Sequence, residues 1–436
     1  MTTVTHIMST WNPSLVHLVK ILSCCQMILA ADVQPQIENY IPDYRFYHNL
    51  SDIALHLRKI ASRHSDVIRI DWSHNSRHGS PQLLTRITNF FHPASKAEDL
   101  LYFSEASEPK EAPKVRVLFS YGEHAREFFP VESFFHLLEN LTDGLTATPG
   151  SHEEIFSRTI LSQFDIFAIV IANPDGRKYV EGSENYCWRG TSNGVDINRN
   201  FDWQFAKKGS SGDPTDEEFR GLNPFSEPEC KVYTDLTQKV QFDAFVSFHS
   251  GIRHIYMPFA DTASKLIKRV PVNFDHMSKL CSRLAGATRY NFRYGKAYDL
   301  NLYTADGTAF DYMAGVVKIP FSLAIEMWEH QHHEGPSCFD EFNPHSEHLR
   351  MELEAFHPMY VELFSYLHQW KLDTQPLMPV PIEAPSMTLN YVLLLSVLLF
   401  FVMMAYRNRQ HICATKRRIV HLRRLSSTFT MGGIFR

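Results

Sequence analysis

Residues 115–127 read VRVLFSYGEHARE: an apolar run of strand length, then a polar turn that begins at Gly122 and carries Glu123, His124, Arg126 and Glu127. Two other runs end in the same way. Residues 242–249 (FDAFVSFH) close on His249, and residues 319–326 (IPFSLAIE) close on Glu326. Short, nearly continuous apolar segments suit strands covered on both faces. Around them the period becomes helical. Helices are expected at 49–64, with Ser51 as the N-cap, and at 130–141, 229–240, 263–284 and 346–370. Shorter strands are expected at 67–71, 82–87 and 164–171, the last ended by the turn signal Asn173-Pro-Asp-Gly176. Residues 191–211 are polar and irregular, as a loop would be, and there is no internal repeat. Strands alternating with helices imply an α/β fold: a mixed, mostly parallel twisted sheet with helices on both faces. Such sheets bind ligands beyond the carboxyl ends of their strands, where His124, His249 and Glu326 fall.

Two histidines and a carboxylate from separate strand ends are what a catalytic zinc requires: three protein ligands and one position left for water. Glu326 is then placed to act as a base. The spacing His-x-x-Glu alone decides little, and the chain supplies its own control. His136 and Glu139 repeat it inside the helix that follows, where an ordinary amphipathic surface explains both. His124 and Glu127 differ in standing at a strand-to-helix turn, where side chains three apart can converge on one ion. Neither an HExxH helix nor a Cys₂His₂ site occurs. Taken alone, Glu326 reads equally well as a buried carboxylate paired with an arginine.

Seven blocks in order (GEHAREFF, NPDG, CWRG, VDINRNFDW, SFHSG, YTADGTAFDY and AIEMWE) resemble those of the zinc metallocarboxypeptidases of the carboxypeptidase A/B superfamily, over residues 44–370. The resemblance implies that His124, Glu127 and His249 hold one Zn²⁺ and that Glu326 is the general base. It implies that Arg189 polarises the scissile carbonyl and that Asn198 and Arg199 clamp the terminal carboxylate of the substrate. Arg126 would be an auxiliary substrate-binding arginine and Tyr303 the mobile tyrosine that closes over substrate. Phe310 would form the floor of the specificity pocket. The alternative for the arginines is surface ion pairing worth about 0–1 kcal/mol each, and for Tyr303 ordinary packing. Two positions depart from the family pattern. Gly251 replaces a tyrosine of the digestive members, so the adjoining subsite is expected to be more open. Phe310 replaces an acidic group of members that select basic residues, so apolar or aromatic terminal residues are expected. Ala260 would face Phe310, with Asp261 able to supply a charge if the register slips by one. The run EHQHHE at 329–334 reads as a solvated loop rather than a second metal site.

Of 436 residues, 44% are hydrophobic and 21% charged, with a net charge of −5. That composition gives a large core and no electrostatic reason to bind nucleic acid. Residues 1–31 contain LVHLVKILSCCQMILAA and read as a secretory signal peptide, although His17 and Lys20 leave a signal anchor or a misplaced start codon open. Residues 32–43 form a short leader and 44–370 the catalytic domain. Residues 371–388 form a Pro-rich stalk, and 389–406 (LNYVLLLSVLLFFVMMAY) an uncharged run close to the roughly 20 residues that cross a bilayer. The basic tail 407–436 places the cytosol after the span, giving a single-pass type I membrane protein with an extracellular or lumenal catalytic unit. A glycolipid-anchor signal would lack that tail. The stretch before residue 44 is too short for the globular propeptide of the secreted digestive branch. Sequons at Asn49 and Asn140, and four cysteines in the expected ectodomain (Cys187, Cys230, Cys281, Cys338), fit that side of the membrane. The cysteines permit two disulfides or buried free thiols. The expected substrate is a peptide or protein C-terminus. The competing readings are an inactive peptide-binding protein on the same scaffold, a zinc amidohydrolase acting on side-chain-linked peptides, and an adhesion protein without zinc.

Overall fold

The computed structural model describes residues 41–91, 114–330, 337–374 and 393–409. The signal peptide, most of the leader, the stalk from residue 375, residues 331–334 of the EHQHHE run and the tail from residue 410 lie outside the described residues. Residues up to Leu372 form one unit, and those from Asp373 form a second.

The first unit is built on one eight-stranded sheet. Its strands are β1 (Ile68–Asp71), β2 (Leu84–Ile87), β3 (Val115–Tyr121), β4 (Phe164–Ile169), β5 (Ala244–His249), β6 (His254–Met257), β7 (Arg293–Lys296) and β8 (Phe321–Glu326). Across the sheet the order is β1-β2-β4-β3-β5-β8-β6-β7. The four central strands β4, β3, β5 and β8 run parallel. Strands β1 and β2 pair antiparallel, as do β2 with β4 and β6 with β8, and the edge pair β6–β7 returns to parallel. The expectation of a mixed, mostly parallel sheet therefore holds at its centre.

Those central strands are apolar almost throughout because both faces are covered. On one face, helix Leu349–Thr374 lays Phe356, Tyr360, Leu363, Phe364 and Leu367 over the sheet at helical spacing. Tyr121 and Phe248 stack between them at 4.7 Å, and Tyr360 sits 5.3 Å from Phe248. Helix Phe129–Gly144 covers the same face. On the other face Phe245, Leu118, Phe167 and Ile169 pack against Val232, Tyr233 and Leu236 of helix Lys231–Lys239. Each such aromatic or aliphatic side chain contributes about 1.5–3 kcal/mol when fully buried.

Several boundaries differ from expectation for local reasons. Helix Leu50–Arg63 is capped by Asn49, whose side chain accepts from the Asp52 amide at 2.9 Å, so Ser51 is already helical. The single helix expected at 263–284 is two, Thr262–Ile267 and Phe274–Ala287. Lys268 takes a left-handed φ of 55° at the break, and Pro271 follows. Strands β6 and β7 were not expected at all. The sequon amides are both engaged, Asn49 with Asp52 at 2.7 Å and Asn140 with the His136 carbonyl at 2.8 Å.

Only one disulfide forms among the described residues. Cys187 joins Cys338, while Cys230 and Cys281 are buried free thiols, which corrects the two-bridge option. The bridge spans 151 residues and ties the segment before Arg189 to helix Cys338–Phe342. It fits an oxidising compartment. Cys338→Ser is expected to cost about 2–5 kcal/mol, read from the shift in the denaturant midpoint.

In the second unit, residues 393–409 are helical with exposed apolar side chains such as Leu394, Phe401 and Met403. No described helix is long and apolar enough to cross a membrane.

Candidate active site

The three strand ends meet. After β3 the chain turns at Gly122 with φ +64°, where a Cβ would stand 2.6 Å from Ile171 Cδ1. The turn is held from behind by Asn343. Its Oδ1 accepts from the amides of Phe128 and Phe129 at 2.7 and 2.9 Å, and its Nδ2 donates to the Arg126 carbonyl at 2.9 Å. His124 and Glu127 thereby face His249 at the end of β5. Nδ1 of His124 lies 2.6 Å from Glu127 Oε1 and 3.2 Å from His249 Nδ1, which is itself 3.1 Å from Glu127 Oε2. All three side chains are buried, and they form the metal-capable group found among the described residues. Tetrahedral zinc with ligands at about 2.0–2.2 Å requires ligand atoms about 3.3 Å apart, so the cradle fits a zinc ion.

The electrostatics agree with a cation site. Burial opposes ionisation of Glu127, but the neighbouring His124 and His249 outweigh it and hold the carboxyl well below its usual range. Burial likewise opposes a charge on His249, yet Glu123 and Glu127 push that imidazole well above the ordinary value. Glu326 ends β8 directly beside His249 in the parallel register and opposite His254 in the antiparallel one. Burial raises its carboxyl to about 7, against the pull of His249.

Asp196 links this cradle to the cluster of arginines. One carboxylate oxygen lies 3.2 Å from His124 Nε2 and accepts from the Asn198 amide at 2.8 Å. The other accepts from Arg189 Nε at 2.9 Å and lies 3.6 Å from Arg199. Burial works against ionisation of Asp196, but Arg189, His124 and Arg199 hold it well below the carboxylate range. Asn198 is oriented by the Ala309 amide, which donates to its Oδ1 at 2.9 Å, so its Nδ2 donor faces the cradle, 3.4 Å from His249 Nε2. Gly307 makes that contact feasible: it has φ +76°, and a Cβ there would stand 2.3 Å from the Arg199 carbonyl oxygen.

The remaining expected residues surround this centre. Arg126 donates to the Cys187 carbonyl at 3.0 Å and to Glu217 at 2.8 Å, and its guanidinium lies 4.1 Å from the Phe342 ring centre. Arg199 donates to Glu218 at 2.7 Å. Tyr303 is 58% exposed, and its phenol feels Arg199, Glu326 and Arg189. Phe310 is buried in one cluster with Ala260, Ala305, Ala324 and Tyr256. Asp261 is not presented to that cluster as a free charge. Its Oδ1 accepts from the Ser264 amide at 2.7 Å and its Oδ2 from Trp203 Nε1 at 2.8 Å. The Phe342 ring packs against Gly251, where a Cβ would meet it at 3.0 Å. His136 and Glu139 make no cradle, and Glu139 instead pairs with His56 at 2.9 Å.

Sequence reasoning missed Asp196, Asn343, Glu217 and Glu218, and noted Glu123 only as part of a polar turn. Asp196 had a readable signal, an acid beside the Asn-Arg pair in an otherwise apolar VDIN run. The others are defined by tertiary contact alone.

The profile of the zinc carboxypeptidase family matches residues 53–356. Among characterised proteins, the chain is 27% identical to carboxypeptidase O of Homo sapiens over 315 residues, 69% of this chain and 75% of that protein. It is 26% identical to carboxypeptidase B2 of Homo sapiens, over 69% of this chain and 70% of that protein. The fold matches the crystal structure of carboxypeptidase A from Helicoverpa armigera with a TM-score of 0.61 at 19% identity, covering 80% of each chain. The profile spans most of the chain and the strand ends it includes build the cradle described above, so the chain belongs to the zinc carboxypeptidase family and is a hydrolase with zinc as its cofactor.

Proposed function

We propose that this protein is a membrane-anchored metallocarboxypeptidase that removes single residues, preferentially apolar or aromatic ones, from the free C-termini of peptides or proteins. The observation that carries the reading is the Asp196 hub, which joins the metal cradle to Arg189, Asn198 and Arg199 through one buried carboxylate. His124, Glu127 and His249 would hold the zinc, which supplies Lewis-acid activation of water and of the scissile carbonyl. Arg189, fixed by Asp196, directs guanidinium donors at the oxygen on which negative charge develops. Asn198 Nδ2 and Arg199 grip the terminal carboxylate, the feature that makes the activity exo rather than endo. Glu326 takes a proton on its carboxylate and returns it to the leaving amine. Arg126 and Tyr303 border the bound chain, and Phe310 with the alanines around it lines an apolar pocket for the terminal side chain.

Anchoring rests on the uncharged run 389–406, on the exposed helix within it and on the basic residues that follow. The Cys187–Cys338 bridge favours an extracellular or lumenal catalytic unit. The test is the purified protein, with and without chelator, on peptides varied only at the last residue. Hydrolysis that is lost with chelator and fastest for terminal Phe or Leu supports the reading. Preference for terminal Lys or Arg would overturn the apolar pocket.

Arg199 is paired with Glu218, a partner that an incoming carboxylate must replace. Glu218→Gln is therefore expected to lower KM several-fold with kcat little changed, the signature of altered uniform binding, checked by steady-state kinetics.

A further inference from the structure

Behind His249 stands a second carboxylate that the reading above does not use. Glu123 is 1% exposed, yet among the described residues its ion-pairing partner is His249 and no arginine or lysine. Its Oε1 accepts from Ser120 at 2.6 Å, Ser247 at 2.8 Å and Tyr233 at 3.1 Å. Its Oε2 has no hydrogen bond and lies 3.4 Å from His249 Nε2. A buried carboxylate whose one charged partner is an imidazole is costly to keep.

Proton counting fixes what the arrangement does. Ser247 has one hydroxyl proton, and it goes to Glu123, which as a carboxylate can only accept. Ser247 Oγ must then accept from the atom 2.6 Å away on its other side, His249 Nε2. The Asn198 amide nitrogen also stands near Nε2, but at 3.4 Å against 2.6 Å for Ser247, so the shorter bond decides. Nε2 keeps its proton, and the nitrogen left to bind a metal is Nδ1, the one facing His124 and Glu127. We propose that Glu123, through Ser247, is a positioning residue for the metal: it orients His249 with Nδ1 toward the ion and adds negative charge behind that ligand. Asp196 stands in the corresponding place behind His124, so each imidazole of the cradle is backed by its own buried acid. Partners of this kind raise the basicity of a ligating histidine. The inference rests on the zinc site of the proposed function and assigns Glu123 no contact with substrate.

The test is zinc affinity by competition with a chromophoric chelator, alongside thermal unfolding of the metal-free proteins. Glu123→Gln is expected to weaken zinc binding about 10- to 100-fold while the metal-free variant unfolds no earlier than the native protein. Ser247→Ala is expected to weaken binding similarly, and the double variant to be no worse than the poorer single one, because both break one relay. A carboxylate that only supports packing would give the reverse, unchanged zinc affinity with earlier unfolding. Should Glu123→Gln fail to fold, Ser247→Ala alone decides. Native protein that takes up no zinc overturns the reading of the site itself. Native protein that binds zinc, with folded variants matching it within about twofold, far short of the loss expected for such partners, overturns only the role of Glu123.

Discussion

Glu326→Gln is expected to lower kcat by about 10²–10⁴-fold while leaving the zinc content of the protein unchanged. The two effects separate because Glu326 lies beside the cradle and not in it: the converging ligand atoms belong to His124, Glu127 and His249. Glutamine keeps the shape of the side chain and loses only the ability to hold a proton. The pH profile follows from the same placement. Burial raises the Glu326 carboxyl to about 7 in the metal-free protein, and a bound dication beside it favours the ionised form and draws the value down. Since the base works ionised, kcat/KM should rise with pH along an acid limb whose midpoint lies below 7, and that limb should be missing from the residual activity of the variant. Loss of metal from Glu326→Gln would make Glu326 a ligand rather than the base.

Arg199→Ala is the second large effect. Removing one member of a buried, hydrogen-bonded charge pair costs about 2–5 kcal/mol, about 30- to 5,000-fold in kcat/KM. Arg199 also touches Asp196 and Glu218, so a drop in rate alone would not identify the clamp. Peptide amides provide the control. Native protein should strongly prefer a free terminal carboxylate over its amide, and the variant should lose most of that preference because only the free acid uses the guanidinium. An unchanged acid-to-amide ratio would remove Arg199 from carboxylate recognition.

The parts of the fold that could be read from the sequence are those whose surroundings are uniform. Strands β3, β5 and β8 are buried on both faces, so they appear as nearly continuous apolar runs; His249 and Glu326 close two of them, and His124 and Glu127 follow the third. Strand β7 could not be read because four residues, Arg293 to Lys296, sit near the edge with half their side chains exposed and carry no period. Strand β6 is fully buried, yet His254 and Tyr256 bond to each other and mask it as a polar turn. The metal-capable residues, and the pair proposed as a clamp, could be picked out for another reason: their chemistry restricts residue type. The acids that position them could not. Glu123, Glu217 and Glu218 gain their roles from partners farther away in sequence, and Asp196, though its arginines are near, becomes a hub only through His124; a carboxylate alone does not announce its neighbour. The cysteines illustrate the same limit, since four candidates yielded one bridge according to which side chains the fold brought face to face.

His249 and Glu326 occupy adjacent rungs of parallel strands in the middle of the sheet, whereas Arg199, Tyr303 and Phe310 lie outside the strands, in the segments around them. The spacing between His249 and Glu326 is therefore set by backbone pairing, while the residues proposed to meet the departing side chain stand on separate segments. Substitutions in those segments are expected to change what is bound without moving His249 relative to Glu326.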